Sequence, residues 1–160
     1  MVRDAIAADI DGIMKIYNDT IFENSVSNCH TENTDRKYWI DALANPRTVC
    51  FVMEIQREIV GWCTLKNFSY RKEYRNVREI SLYVRKDFKN RCVSYILYKH
   101  LIKAAEQAAC DIVVAIVLDD NITSKRLLEY DGFIPKIKIP NMAQKDSKHI
   151  DILIYTKDIN

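Results

Sequence analysis

The stretch that most restricts the possible folds is residues 79–118, where an alternating strand, an amphipathic helix and an apolar strand follow in succession. In "EISLYV", Ile80, Leu82 and Val84 alternate with Glu79, Ser81 and Tyr83, the period of a strand with one core face and one face carrying a carboxylate. From about Asn90 to Ala109, Val93, Ile96, Leu97, Leu101, Ala104, Ala105 and Ala108 recur at helical spacing and predict an amphipathic helix. "DIVVAIVL" comes next, an unbroken apolar run of the kind covered on both faces of a sheet. Strand, helix and strand together predict a parallel crossover unit.

The remaining elements frame that unit. A short strand near Val2–Ala5 precedes a helix that Asp9 can cap, with Ile10, Ile13, Met14 and Tyr17 in one stripe. "NSVSNCHTENTD" reads as loop, and a second helix from about Asp35 to Ala44 stops at "NPR". "TVCFVMEI" and "EIVGWCTLKNF" flank the short connection "QRE" and predict an antiparallel hairpin. Asn121–Tyr130 predicts another helix, closed by Gly132, and "HIDILIYTK" a last strand. No repeat or Pro/Gly/Ser-rich linker interrupts the chain, so one domain is expected over residues 1–160. It is α/β with a mixed (α+β) sheet: antiparallel strands first, a parallel crossover in the C-terminal half. With only three glycines in 160 residues, against a usual share of roughly 7%, few loops can depend on glycine.

A net charge of +2 is too small to point to nucleic acid, but eight cations stand against three anions between Tyr70 and Arg91, so an anionic ligand is expected there. RNA binding through that stripe, with Tyr70 and Tyr74 stacking on bases, ranks last among the readings. The five cysteines show no C-x-x-C spacing, the N-terminus has no signal-type apolar run, and no stretch approaches the roughly 20 apolar residues of a membrane span. A cytoplasmic protein with no membrane partner is expected. His30, His100 and His149 lack metal-binding spacing.

Ligands of such sheets favour the crevice at the C-terminal ends of strands where the pairing pattern changes, here near "RKDFKNRC". A helix N-terminus offers free N–H groups and a favourable dipole, and no proline removes a donor between Phe88 and Leu101. Two readings stand: the turn holds a phosphate beside Lys89 and Arg91, or Asn90 caps a surface helix whose cations are solvated. Cys92 has no histidine at a useful spacing and reads as a small structural residue rather than a nucleophile.

Several segments resemble the phosphinothricin acetyltransferase-like branch of the GNAT N-acetyltransferases. "VRDAIAADIDGIMKIYN" is similar to its IRDAxxxDxxxIxxIYN, "VGWCTLKNF" to VGYASFxxF, "YRNVREISLYV" to YRxTVExSVYV, "LLEYDGF" to LHExxGF, and "HIDILIYT" to WxDVxxxQ. The likeness implies a GNAT acyltransferase fold and an enzyme that moves acetyl from acetyl-coenzyme A, without a metal, to the primary amine of a small molecule such as an amino-acid analogue. A homodimer is a further implication. The family's pyrophosphate loop, Arg/Gln-x-x-Gly-x-Gly/Ala, corresponds to Lys89, Asn90, Arg91, Cys92, Val93 and Ser94, with Cys92 and Ser94 at the glycine positions. With them, Leu82, Tyr83, Val84 and Asn121 are the implied cofactor-binding residues.

Glu79 matches the branch's general base; its alternative is a surface salt bridge with Arg78 or Arg75. Asn121 is alternatively a plain helix cap. Leu128 occupies the position where the branch has a histidine, and Tyr130 falls roughly 200° away on the helix. The branch arginine that holds a substrate carboxylate corresponds to Ser69, so Lys66 or Arg71 would substitute, with Phe22, Tyr74 and Arg75 as further acceptor-side candidates. The competing functional reading is a GNAT-fold module that binds an acyl-coenzyme A or a protein partner without turnover.

Overall fold

Gln56 and Arg57 both have positive φ, 51° and 66°, which suits the two-residue turn of the predicted hairpin between β2 (Val49–Ile55) and β3 (Glu58–Asn67). The computed structural model describes residues 1–23, 35–89, 91–145 and 147–159; the predicted loop over 24–34 lies outside the described residues. β1 (Val2–Asp4) pairs with β2, and β4 (Val77–Val84) continues the antiparallel series from β3. The crossover helix α3 (Val93–Gln107) then delivers β5 (Ile112–Leu118) parallel to β4. β6 (Ile134–Lys145) and β7 (Lys148–Asp158) complete a seven-stranded sheet of order β1-β2-β3-β4-β5-β7-β6. This is the expected mixed α/β sheet, with one parallel pair.

Helix ends follow the local sequence, with one correction. Asp35 caps α2 (Arg36–Ala44) by accepting from the Lys37 N–H at 2.8 Å, and Gly132 takes φ +84° just past α4 (Ile122–Tyr130). Asp9 does not cap α1 (Ile10–Glu23) directly. It ends a preceding 3₁₀ turn, accepts from the Ile6 N–H at 2.9 Å and receives both ends of the Arg3 guanidinium at 2.7 and 2.9 Å. A short strand running straight into a helix leaves the turn little chain, and the buried Asp9 carboxylate ties the two together.

The sheet separates two apolar cores. On one face Leu97 and Leu101 of α3 and Leu128 of α4 pack over Cys63, Leu65, Val113 and Tyr155. On the other, α1 and α2 cover β2 to β4, where Trp39 and Trp62 meet edge to face at 5.0 Å and the Trp62 indole donates to the Ile13 carbonyl at 3.1 Å. This second core claims Tyr83, whose ring stacks on Trp62 at 4.7 Å. The face of β4 expected to be polar is therefore apolar toward its C-terminal end and carries its carboxylate only at Glu79.

β5 also departs from expectation. Val113, Ala115 and Val117 are buried in the first core, but Ile116 is 48% exposed. No residue of β5, β6 or β7 belongs to the second core. The register aligns Val114, Thr156 and Ile134, then Ile116, Ile154 and Ile137, then Leu118, Ile152 and Ile139, in three cross-strand rows on that face. On that face Val114 and Ile152 are buried, at 5% and 9% exposed, and Ile116 is the exposed position of β5.

Candidate active site

The cleft begins where the parallel pair parts. β4 and β5 are hydrogen-bonded only from Val77 opposite Ile112 to Glu79 opposite Val114, although β4 runs on to Val84 and β5 to Leu118. The Arg85 N–H donates to the Val60 carbonyl at 2.9 Å and the Phe68 N–H to the Val77 carbonyl at 3.2 Å, so the odd-numbered residues of β4 direct their main chain at β3. By antiparallel alternation, Leu82 and Val84 aim theirs at the gap. Such polar groups require partners, which an amide-bearing ligand lying along β4 can supply. Alternation turns the main chain of Tyr83 to β3 and its ring into the second core.

From Glu79 to Val84 the open edge runs about 17 Å at the usual rise per residue, and it ends at the turn before α3. Asn90 lies outside the described residues. Cys92 is the N-cap of α3 and has φ +58°, ψ +6°, a left-handed conformation that glycine adopts freely and another residue holds at about 1 kcal/mol. The turn thus keeps a glycine-type backbone without the glycine. The Cys92 side chain makes no capping hydrogen bond, and the Ile96 N–H donates to the Cys92 carbonyl at 3.0 Å. The N–H groups of Val93, Ser94 and Tyr95 belong to the first turn of α3, ahead of its i to i−4 ladder and on the positive end of its dipole. The Val93 side chain is buried, packed below the turn against Gly61, where an added Cβ would lie 3.1 Å from Val93 Cγ1 and 3.0 Å from Leu97 Cδ1. Val93 can contribute only its main chain.

The cations of the turn are fewer than the sequence suggests. Arg85 is held by Glu58 at 2.8 Å and by Asp87 at 2.8 and 3.0 Å. Buried Arg78 donates to the Arg47 carbonyl at 2.6 Å and to Asn67 Oδ1 at 2.8 Å, and burial lowers its pKa. Lys89 and Arg91 remain exposed, with the Arg91 guanidinium 5.1 Å from the centre of the Phe88 ring. The N–H donors of a helix's first turn, a left-handed turn and neighbouring cations are what a diphosphate needs, so these residues fit the diphosphate of acetyl-coenzyme A.

Glu79 sits at the closed end of the gap, its side chain 21% exposed, with Lys66 Nζ 3.3 Å from its Oε1. The salt bridge expected with Arg78 or Arg75 is replaced by this one, because Lys66 lies directly across from Glu79 in the β3–β4 register whereas Arg78 points to the opposite face. Arg71, Tyr74 and Arg75 lie on the segment between β3 and β4, beyond that closed end. Tyr74 packs edge to face with Phe68 at 6.1 Å, and the Arg75 carbonyl accepts from Arg47. A shallow depression between Lys72, Arg75, Asn76 and Asp111 lies there too, at the opposite end of β4 from Cys92. The Phe22 side chain lies outside the described residues. Asn121 Oδ1 caps α4 by accepting from the Ser124 N–H at 3.1 Å, and Leu128 is buried in the first core while Tyr130 is 82% exposed. No cluster of His, Cys, Asp and Glu able to hold a metal occurs among the described residues.

A wedge opened between two parallel strands, ending on a helix N-terminus, is the architecture of an acyl-coenzyme A-dependent transferase. The family model described as "Acetyltransferase (GNAT) family" matches residues 11–133, and the chain belongs to that family. It is 26% identical to the L-methionine sulfoximine/L-methionine sulfone acetyltransferase of Pseudomonas paraeruginosa, covering 94% of this chain and 90% of that protein. It is 28% identical to the phosphinothricin N-acetyltransferase of Streptomyces viridochromogenes, over 98% of this chain and 86% of that one. The structure of a GNAT superfamily phosphinothricin acetyltransferase from Sinorhizobium meliloti in complex with AcCoA superposes with a TM-score of 0.87 at 17% identity, covering 99% of this chain and 87% of the other, a likeness of fold.

Proposed function

We propose that this protein is an acetyl-coenzyme A-dependent N-acetyltransferase acting on the primary amine of a small, amino-acid-like molecule. One observation carries the reading: Glu79 stands at the last paired rung of β4 and β5, at the closed end of a cleft whose far end is the N-terminus of α3. The named activities of the Pseudomonas and Streptomyces relatives support the substrate class. The cosubstrate supplies, when bound, an acetyl group activated as a thioester.

The chain's residues divide the remaining work. Leu82 and Val84 hold an amide-bearing arm along β4, while the first turn of α3 with Lys89, Asn90 and Arg91 takes the diphosphate. Glu79 accepts the proton of the acceptor amine, directly or through water, since only the neutral amine attacks. Lys66 orients the Glu79 carboxylate from the neighbouring strand. Arg71, Tyr74, Arg75 and Phe22 form the acceptor side. Asn121 offers its amide nitrogen to the cofactor while its oxygen caps α4. The reading includes a cytoplasmic, homodimeric protein of one domain with no nucleic-acid or membrane partner; no described helix is long and apolar enough to cross a membrane.

The substituted glycine positions and the buried Leu128 favour a second reading, a module that binds an acyl-coenzyme A without turnover. Release of free thiol from acetyl-coenzyme A across a panel of amino-acid analogues separates the two. Amine-dependent release establishes the enzyme; tight binding with no release on any amine establishes the module.

A further inference from the structure

Among the described residues three polar or charged residues are buried: Asp9, Arg78 and Thr64. Arg3 and the Ile6 N–H satisfy Asp9, and the Arg47 carbonyl with Asn67 satisfies Arg78. The Thr64 hydroxyl forms no hydrogen bond with the described residues, and neither does the hydroxyl of Ser81, directly across from it on β4. No sealed side-chain oxygen among those residues lacks a partner, so the Thr64 oxygen opens onto the surface although the residue is only 5% exposed. A hydroxyl kept from water without a partner costs roughly 1–3 kcal/mol, and hydroxyls facing each other across two strands ordinarily bond to one another. Two that do neither are poised for an incoming group.

Their place in the cleft defines that group. Glu79, Ser81 and Tyr83 lie on one face of β4, all part exposed, and opposite them on β3 stand Lys66, Thr64 and Trp62. That face therefore carries three rungs in succession: the Lys66–Glu79 ion pair, the two hydroxyls, and the Trp62–Tyr83 stack at 4.7 Å. Successive rungs on one face are about 7 Å apart, and side chains across a rung about 5 Å. An amine beside Glu79 thus reaches the hydroxyl rung through a chain of about four atoms, and the aromatic rung closes the far end.

We propose that the Thr64–Ser81 rung sets acceptor specificity: its two hydroxyls donate to a side-chain group with two oxygen acceptors and reject an aliphatic side chain of the same length. The inference rests on the acetyltransferase reading for where the amine sits, and deepens it by stating what the other end of the acceptor must carry. The rung has no charge of its own, so it selects by hydrogen bonding. A side chain that covers both hydroxyls without pairing them forfeits their hydration, which is how a polar pocket excludes an analogue lacking the polar group.

The test is calorimetric titration of the full chain, saturated with coenzyme A, with L-methionine sulfone and with L-norleucine, which has the same chain length and no side-chain oxygen. The sulfone is expected to bind at least tenfold more tightly than norleucine. Thr64→Val and Ser81→Ala should each cut that ratio at least fivefold, Thr64→Ser should restore it, and acetyl-coenzyme A affinity should change less than twofold. Thr64→Val keeps the shape of the side chain, so its unfolding midpoint should be unchanged or higher; a fall marks the hydroxyl as a structural group and counts against the proposal. Equal binding of the two amino acids, binding of neither at millimolar concentration, or a ratio unaltered in both variants overturns it. Binding is read without turnover, so a hydroxyl-dependent preference with no thiol release on any amine counts against the acetyltransferase reading and not against the rung.

Discussion

Lys66 Nζ lies 3.3 Å from Glu79 Oε1, each residue directly opposite the other on β3 and β4, at the rung where β4 and β5 separate. The carboxylate is held in place by its neighbour while its own strand opens into the cleft.

Glu79→Gln preserves the shape of that side chain and removes its basicity. The fold is expected to be unchanged and turnover on an accepted amine to fall by about 10² or more, as for loss of a positioned base. Lys66→Ala breaks an ion pair in which both side chains retain solvent, so the midpoint of urea unfolding should report a change below about 1 kcal/mol.

Cys92→Gly tests the left-handed N-cap. Glycine relieves about 1 kcal/mol of backbone strain and gives back about half of it through the freer unfolded chain, for a net stabilisation of about 0.5 kcal/mol by equilibrium denaturation. Acetyl-coenzyme A should also bind more tightly by calorimetry. In the native protein, alkylation of the exposed Cys92, followed by peptide mass, should slow when the cofactor is present, whereas burial pushes the Cys50 thiol up to about 12 and keeps it inert.

Gly61→Ala acts from beneath the same turn. Its Cβ would stand 3.0 Å from Leu97 Cδ1, 3.1 Å from Val93 Cγ1 and 3.2 Å from the Tyr83 carbonyl, and the last cannot yield without moving β4. Overpacking of this kind costs about 1–3 kcal/mol. Because α3 must lift from β3, acetyl-coenzyme A affinity should fall along with the unfolding midpoint.

Asp9 sets an acid limit. Its hydrogen bonds from Arg3 hold the carboxyl below the ordinary value of 3.8, outweighing burial, with the Ile6 N–H adding to the effect. The unfolded chain therefore takes up a proton at Asp9 before the folded one does, and the stabilisation is complete above the ordinary value and lost as pH falls through the folded one. Stability measured from pH 6 to pH 2 should drop below about pH 4. In Asp9→Asn that part of the slope should vanish, and the protein should be weaker by about 2 kcal/mol at neutral pH.

The fold was largely legible because its signals are local. The alternation of Ile80, Leu82 and Val84, the helical stripe through Leu97 and Leu101, and the apolar run through Val113 and Val117 each specify an element, and the crossover joins them. The partners of Glu79 were not legible, because they depend on register. Lys66 faces Glu79 only once the β3–β4 hairpin is aligned, and Arg78, adjacent in sequence, is sent by alternation to the other side of the sheet. Cys92 stands at a glycine position of the resembling motif, but its glycine-type angle is a property of the folded turn that the residue type does not announce. The exposure of Ile116 was illegible for the same reason, since hydrophobicity states what a strand prefers and not what reaches it.

The account turns on whether the gap between β4 and β5 receives acetyl-coenzyme A, and calorimetric titration of the purified chain tests this most directly. Saturable one-site binding is expected, weakened in Gly61→Ala, strengthened in Cys92→Gly and accompanied by about 2.7 kcal/mol of added stability at 100 times the dissociation constant. A silent titration at millimolar cofactor, with no rise in unfolding midpoint, would contradict it.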